Sequence, residues 1–493
     1  MSAEGLKLRD ASLLKQKCYI DGQWTGAIEE ATFDVIDPAT GRVIGTMPEM
    51  TAGDTELAIQ SAARCLDKLR YMSSHDRSTI LHRWYELMIE NAEDLARLIT
   101  AENGKPLAHS RYEVHYAASY FEWYSGEAVR LYGETIPTVP GARSWTIKEP
   151  VGVCGLITPW NWPAGMVTRK IGPAIAAGCP VVLRAPSQTP FTSAALLELG
   201  HRAGLPRGAA NLVTAMHNTS EVGTALTSSA IVKKISFTGS TNVGKTLMAQ
   251  SAKTLKKLSF ELGGNAPFIV FNDAHLHDAV DAALECKYKS TGQICVAANR
   301  IFVQRNIYEA FPEAFTAKVR TMKLGSGSAE DTDQGPLINA KAVEKAEKHV
   351  QDAKQHGGRI MTGGSSCPEV GANFYSPTVI RDANSSMMIA IEETFGPVAA
   401  LFMFEDEKDA IQQANDTEVG LAGYFYSQDV AKIFRVAEAL EVGMVGVNTI
   451  QIAHVATPFG GIKESGFGIE GSKYGIESYL RVKSITLGGI HAN

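Results

Sequence analysis

The sequence predicts an α/β protein: a doubly wound parallel sheet of the Rossmann type, a second α/β domain and a small β element. Three observations predict it. From Pro150 onward, short apolar runs alternate with amphipathic segments, the pattern of strand–helix–strand units whose strands lie parallel. With 493 residues, 45% of them hydrophobic, the chain exceeds one core and can fill about three folding units. The closing segment 477–487 alternates as an edge strand does, and such an edge invites pairing with another subunit.

A strand-like opening covers 18–24 and 32–36. Segments 54–69, 76–100 and 109–131 then carry apolar residues at helical spacing, so a helical layer comes early. Runs 152–157, 180–183, 210–213, 234–237 and 267–271 read as strands. Between them Thr189 suits the cap of a helix that begins at Pro190 and stops near Gly204, and 241–252 is another helix. A second alternating block runs from Ala274 to about Ile450, with helices near 276–288, 308–322 and 340–356.

Composition excludes several classes of partner. Charged residues make up 20%, net charge is −6 and no dense lysine or arginine run occurs, so a phosphate-backbone partner has little electrostatic support. The seven cysteines form an odd set with no CxxC pair, which argues against a disulfide framework or a zinc site and fits a reducing compartment. The amino terminus lacks the apolar run of a signal peptide, and nowhere do about eighteen apolar residues follow one another. A cytoplasmic protein without a membrane segment is expected.

Chemistry concentrates at two places. Cys295 lies in KYKSTGQICVAANR (287–300), preceded by Ser290, Thr291 and Gly292, which suit a turn able to present a sulfur. Glu261 lies in FELGGNAPFIVF (260–271). A thiolate attacks carbonyls, and a carboxylate of raised pKa takes a proton from water, so the pair can run covalent acyl chemistry. The other six cysteines read as small buried hydrophobes. A rival reaction class comes from GSTNVGKT (239–246), which fits the phosphate-loop pattern letter for letter, with FIVFND (268–273) as a partner strand offering Asp273 to magnesium. That reading leaves Cys295, Glu261 and the WNWP segment without roles, and the same turn serves a dinucleotide, since amides at a helix start attract any pyrophosphate.

Six blocks in order, TPWNWP (158–163), FTGSTNVG (237–244), FELGGNAP (260–267), GQICVAANR (292–300), EETFGPV (392–398) and PFGGIKESGFGIEGSKYG (458–475), resemble the aldehyde dehydrogenase superfamily. TRK (168–170) and SKYGIESYL (472–480) look most like its succinate-semialdehyde dehydrogenase branch. The resemblance implies a homodimer or homotetramer of three-domain subunits. It divides the chain into a cofactor-binding domain (1–130 and 150–262), a catalytic domain (263–450, its tail to about 474) and oligomerisation strands (131–149 and 475–493).

The resemblance also assigns roles. Cys295 becomes the nucleophile, Glu261 the base that activates water, and the Asn161 amide with the Cys295 N–H the donors to the developing oxyanion. Lys170 matches a lysine near the catalytic and nicotinamide region, and Glu470 a second acidic residue of proton-relay type. Thr158, Pro159, Trp160, Gly239, Ser240 and Leu262 match positions beside the dinucleotide, Glu393 the carboxylate for the nicotinamide ribose, and Phe395 a neighbour of that ring. Arg184 stands where lysine is usual and Ser187 where NAD-preferring members often carry glutamate. Serine tolerates a 2′-phosphate and a guanidinium clasps it with two hydrogen bonds, so NADP is the expected cofactor, with NAD as the other. Arg169 matches the arginine that holds the far carboxylate of the substrate. The branch's second arginine is Lys289 here and its pocket serine is Ala453, so an aromatic or longer aldehyde is the alternative substrate. Ala297 removes the neighbouring cysteine some members carry. A binding role without turnover is the third reading.

Overall fold

A computed structural model describes residues 5–490; the extreme ends of the expected first and last segments, 1–4 and 491–493, lie outside the described residues. The opening strand is a hairpin, Cys18–Ile20 against Gln23–Thr25. Asp21 (φ 52°) and Gly22 (φ 75°) both take the left-handed conformation that a two-residue turn needs. The helix expected over 76–100 is two, Ser74–Glu90 and Ala92–Asn103. They part at Asn91, whose side-chain amide donates back to Leu87 O at 2.8 Å, a local bond that competes with helix continuation.

The first sheet orders its strands Gln23–Thr25, Cys18–Ile20, Ala210–Val213, Val181–Arg184, Val153–Ile157, Val232–Thr238, Lys257–Glu261, Gly466–Phe467. The five from 210–213 to 257–261 are parallel. The chain starts at Val153–Ile157, moves outward through Val181–Arg184 to Ala210–Val213, then returns to the other side with Val232–Thr238. The order therefore reverses between Val153–Ile157 and Val232–Thr238, and the carboxyl ends of these strands open on the crevice where doubly wound sheets bind ligands. Beneath it runs Gly165–Ala177, a helix buried along its whole length. Although buried, it carries the charged side chains of Arg169 and Lys170, which a core helix rarely holds.

The second sheet orders Arg359–Thr362, Thr378–Ala383, Val398–Phe404, Arg300–Gln304, Pro267–Val270, Ala422–Tyr426, Met444–Val447. All are parallel except the edge strand Arg359–Thr362. The helix expected over 308–322 is shorter, Ala310–Val319. In the third sheet Leu480–Leu487 pairs antiparallel with Arg143–Pro150, and Thr135–Ile136 lies beyond. The last strand starts at Leu480 because Glu477–Tyr479 forms a 3₁₀ turn. Among the described residues, no helix is long and apolar enough to cross a membrane.

Candidate active site

Cys295 follows a turn that ordinary residues resist. Ser290 (φ 51°), Thr291 (φ 58°) and Gly292 (φ 71°) are left-handed in succession, at about 1–2 kcal/mol for each non-glycine residue. At position 292 a Cβ would stand 2.3 Å from Gly396 O, so only glycine fits. Side-chain bonds hold the turn: Thr291 Oγ1 donates to Gly335 O (3.2 Å), and Gln293 Oε1 accepts from the Ile338 N–H (3.0 Å).

The Cys295 thiol donates to Glu261 Oε1 at 3.2 Å. Glu261 ends Lys257–Glu261, next to Thr238 at the end of Val232–Thr238. Its second oxygen accepts from Arg169 Nη2 (2.8 Å) and Thr238 Oγ1 (3.2 Å). Burial raises the Glu261 pKa although Arg169 opposes it, and burial together with Glu261 raises the Cys295 thiol well above its usual value. Both shifts favour the protonated form of each group, and the hydrogen bond between them runs from the thiol to Glu261 Oε1.

Asn161, buried in the turn after Val153–Ile157, donates through Nδ2 to Gln293 O at 3.0 Å. That bond uses one of the two amide hydrogens and leaves the other for a ligand. The helix Gly165–Ala177 supplies Arg169 and Lys170. Lys170 Nζ donates to Thr238 Oγ1 (2.7 Å) and to Glu470 Oε1. Burial disfavours the charge on Glu470, but Lys170 and Arg169 overcome it and hold its pKa near 2.

Cys295 faces a pocket of roughly 720 Å³, counting space open to solvent, walled by Tyr112, Tyr116, Trp162, Tyr424 and Phe459. Arg169 and Lys289 both reach it, as does Ala453. Their situations differ. Arg169 is committed: Nε donates to Glu470 (2.8 Å), Nη2 meets Glu261 and Glu470, and the group lies 4.0 Å from the Phe459 ring centre. Only Nη1 stays outside these bonds, so the expected free guanidinium fork is not available. Lys289 sits 4.1 Å above the Tyr112 ring, with Glu285 3.4 Å away.

The expected dinucleotide residues gather along the crevice. Trp160 and Phe395 meet edge to face at 5.7 Å. Glu393 stands beside Gly263, its carboxyl pushed up to about 7 by burial against the pull of Lys345. Its loop is fixed from behind by Asn299, whose Nδ2 donates to Ile389 O and Glu392 O and whose Oδ1 accepts from Thr394 N. Gly239 precedes Ser240, the N-cap of Thr241–Ser251, and the Ser240 side chain makes no cap bond, so the first amides of that helix are free for an anion. Gly244 packs on Leu262, where a Cβ would come within 2.6 Å. Thr158 Oγ1 and Arg184 Nε are buried without a hydrogen-bond partner, donors that a dinucleotide would satisfy. Arg184 Nη2 donates to Ala215 O (3.0 Å) and Thr219 Oγ1 (2.9 Å), and Ser187 is buried beside Gln188. The site therefore fits a dinucleotide.

It does not fit the phosphate-loop reading. Lys245 Nζ pairs with Glu464 at 2.6 Å, and Asp273 accepts from Ser427 Oγ and the N–H groups of Gln428 and Asp429. Sequence reasoning did not mark Lys105, Glu113, Tyr112, Thr238 or Asn299. Lys105, Tyr112 and Glu113 lie far along the chain from the segments they contact, whereas Thr238 and Asn299 stand inside the blocks 237–244 and 292–300 and take their roles from partners that only the fold brings near.

The aldehyde dehydrogenase family profile matches residues 24–485. The glutarate-semialdehyde dehydrogenase of Pseudomonas putida is 52% identical over 98% of this chain and 100% of its own. The NADP-dependent succinate-semialdehyde dehydrogenase of Escherichia coli is 50% identical over 98% and 100%, and a 3-sulfolactaldehyde dehydrogenase of Pseudomonas putida is 49% identical over 98% and 99%. Among solved structures, an NADP-dependent enzyme of E. coli superposes with a TM-score of 0.96 at 50% identity, covering 98% of this chain and all of that one.

Proposed function

The chain belongs to the aldehyde dehydrogenase family, and from that premise we propose that it oxidises short aldehydes with an anionic far end, succinate or glutarate semialdehyde, to the acids with NADP. The observation that carries the reading is the Cys295 thiol 3.2 Å from Glu261 at a pocket that also holds the Lys289 ammonium. Two of the relatives named above act on semialdehydes and one on a sulfonated aldehyde, all anionic substrates.

As Sγ bonds to the aldehyde carbon, its proton passes to Glu261. The oxyanion of the thiohemiacetal takes the spare Asn161 N–H and the Cys295 main-chain N–H; losing one such donor costs about 3 kcal/mol of barrier. NADP, when bound, supplies the hydride acceptor that turns the thiohemiacetal into a thioester. Once its proton is passed on, Glu261 draws a proton from water, which releases the acid and frees the thiol. Lys170 acts through Thr238, whose hydroxyl donates to Glu261. For the dinucleotide, Trp160, Thr158, Pro159 and Leu262 line the crevice, Gly239 and Ser240 lead to the helix amides, Glu393 and Phe395 face the nicotinamide end, and Arg184 with Ser187 accommodates a 2′-phosphate. Arg169 holds Glu261 in place and leaves Lys289 as the main charge for the substrate anion. We place the enzyme in the cytoplasm as a homo-oligomer joined through Leu480–Leu487; its unpaired cysteines and that exposed edge support this.

A panel of succinate semialdehyde, glutarate semialdehyde, butanal and benzaldehyde with both cofactors tests the reading. The semialdehydes with NADP should give the highest kcat/KM, and Lys289→Met should raise KM for them about fivefold, roughly 1 kcal/mol for a partly exposed pair, without affecting butanal. The aromatic walls favour a second reading, aromatic aldehydes; benzaldehyde ahead of both semialdehydes would establish it.

A further inference from the structure

The turn formed by Asn103, Gly104 and Lys105 touches both halves of the site. Toward the first sheet, Asn103 Nδ2 donates to Trp160 O at 3.0 Å and Lys105 Nζ to Asn161 O at 2.6 Å. Lys105 is buried together with Glu113, Nζ to Oε2 2.6 Å, at 2% and 0% side-chain exposure. The other Glu113 oxygen accepts the N–H groups of Ala164 (2.8 Å) and Gly165 (3.3 Å), where the helix carrying Arg169 and Lys170 begins. Toward the second sheet, the turn presses on the loop that braces the nucleophile: a Cβ on Gly335 would lie 2.2 Å from Gly104 O. From that loop Gly335 O accepts from Thr291 Oγ1 and Pro336 O from Gln293 Nε2.

A buried ion pair gains little net stability, because desolvating two charges offsets their attraction. This one spends its remaining hydrogen bonds on the carbonyl of Asn161 and on the amides just after it. We propose that Lys105 and Glu113 are positioning residues that fix the Asn161 amide relative to Cys295. The proposal rests on the reading of Asn161 as an oxyanion donor. Held by the pair, the Asn161 turn cannot slide along the boundary between the two sheets, and the oxyanion stays within reach of both of its donors. A misplacement of about 1 Å there is enough to cost about 100-fold in rate.

The test is a mutant cycle on the full-length protein with succinate semialdehyde and NADP. The variant Lys105→Met/Glu113→Gln removes both buried charges together and leaves an acceptor at 113. Its thermal unfolding and NADP affinity should match the parent, with kcat lowered at least about tenfold and KM nearly unchanged. Asn161→Ala alone should lower kcat about 100-fold. Added to Asn161→Ala, the pair change should cost less than about twofold, since effects that act through one group are not additive. An equal loss on both backgrounds would show a general structural role and overturn the proposal, as would full kcat in the folded pair variant. Asn161→Ala with full kcat would sink the oxyanion reading itself, and the positioning role with it. If the pair variant does not fold, Lys105→Gln enters the same cycle under the same criteria.

Discussion

At the scale of single residues, the site is a thiol hydrogen-bonded to the carboxyl group of Glu261, and burial raises the pKa of both. Glu261 works as a base only when ionised, so kcat/KM should fall as pH drops through its raised pKa, which lies above the usual carboxylate value of 4.5. A pH–rate profile checks this: the parent should show the acid limb, and Glu261→Gln should lose most of its kcat and the limb with it. An unchanged limb in that variant would assign it to another group. The Cys295 turn was legible in part, because Gly292 favours left-handed backbone; that Ser290 and Thr291 also adopt it shows only in the fold. The fate of Arg169 was not. Its partners Glu261 and Glu470 lie 92 and 301 residues away, and only the tertiary fold shows that they consume its hydrogen bonds.

At the scale of elements, helix ends depend on partners the local sequence does not contain. Thr189 stands at the N-cap of Pro190–Arg202 as expected but makes no cap bond; its hydroxyl turns to Trp160 O at 3.4 Å. The Glu102 carboxyl group, from Ala92–Asn103, instead accepts the N–H groups of Phe191 and Thr192 at 2.8 and 2.9 Å, and so performs the capping task from another helix. The terminal strand is tied similarly. Glu149 on Arg143–Pro150 binds Lys483 (2.8 Å) and Arg481 (3.1 Å) of Leu480–Leu487 and also Arg70 (2.6 Å). The bond from Lys483, with those from Arg70 and Arg481, holds the Glu149 pKa down at about 2. A depressed carboxylate stabilises the fold above its unfolded value of 4.5, and that contribution fades as pH falls toward 2. Glu149→Gln should therefore speed amide exchange in 480–487 at neutral pH and leave exchange in 153–157 unchanged. Equal exchange in both segments would show that the strand does not depend on this cluster.

At the scale of the molecule, the first sheet contributes Glu261 and the turn that bears Asn161, and Cys295 lies on the segment between the helix Leu276–Tyr288 and the strand Arg300–Gln304 of the second. The doubly wound class and most central strands could be read from the alternation of apolar runs, since strands buried on both faces carry continuous apolar residues. Lys257–Glu261 was not singled out, although KLSFE alternates polar and apolar residues as a strand does, and it delivers the base. The adenosine end of the crevice holds Arg184 and Ser187 with no carboxylate at position 187, the arrangement proposed to favour NADP. Ser187→Glu should turn the kcat/KM preference from NADP toward NAD; a variant still preferring NADP would remove Ser187 from the explanation. In the proposed oxidation the substrate is carried as an acyl group on Cys295. The most direct test of that step is rapid acid quenching of the parent protein within its first turnover of succinate semialdehyde with NADP, then mass mapping of the tryptic peptide 290–300. The account predicts one acyl group on Cys295, formed in step with the first equivalent of reduced cofactor; an unmodified peptide at that point would contradict it.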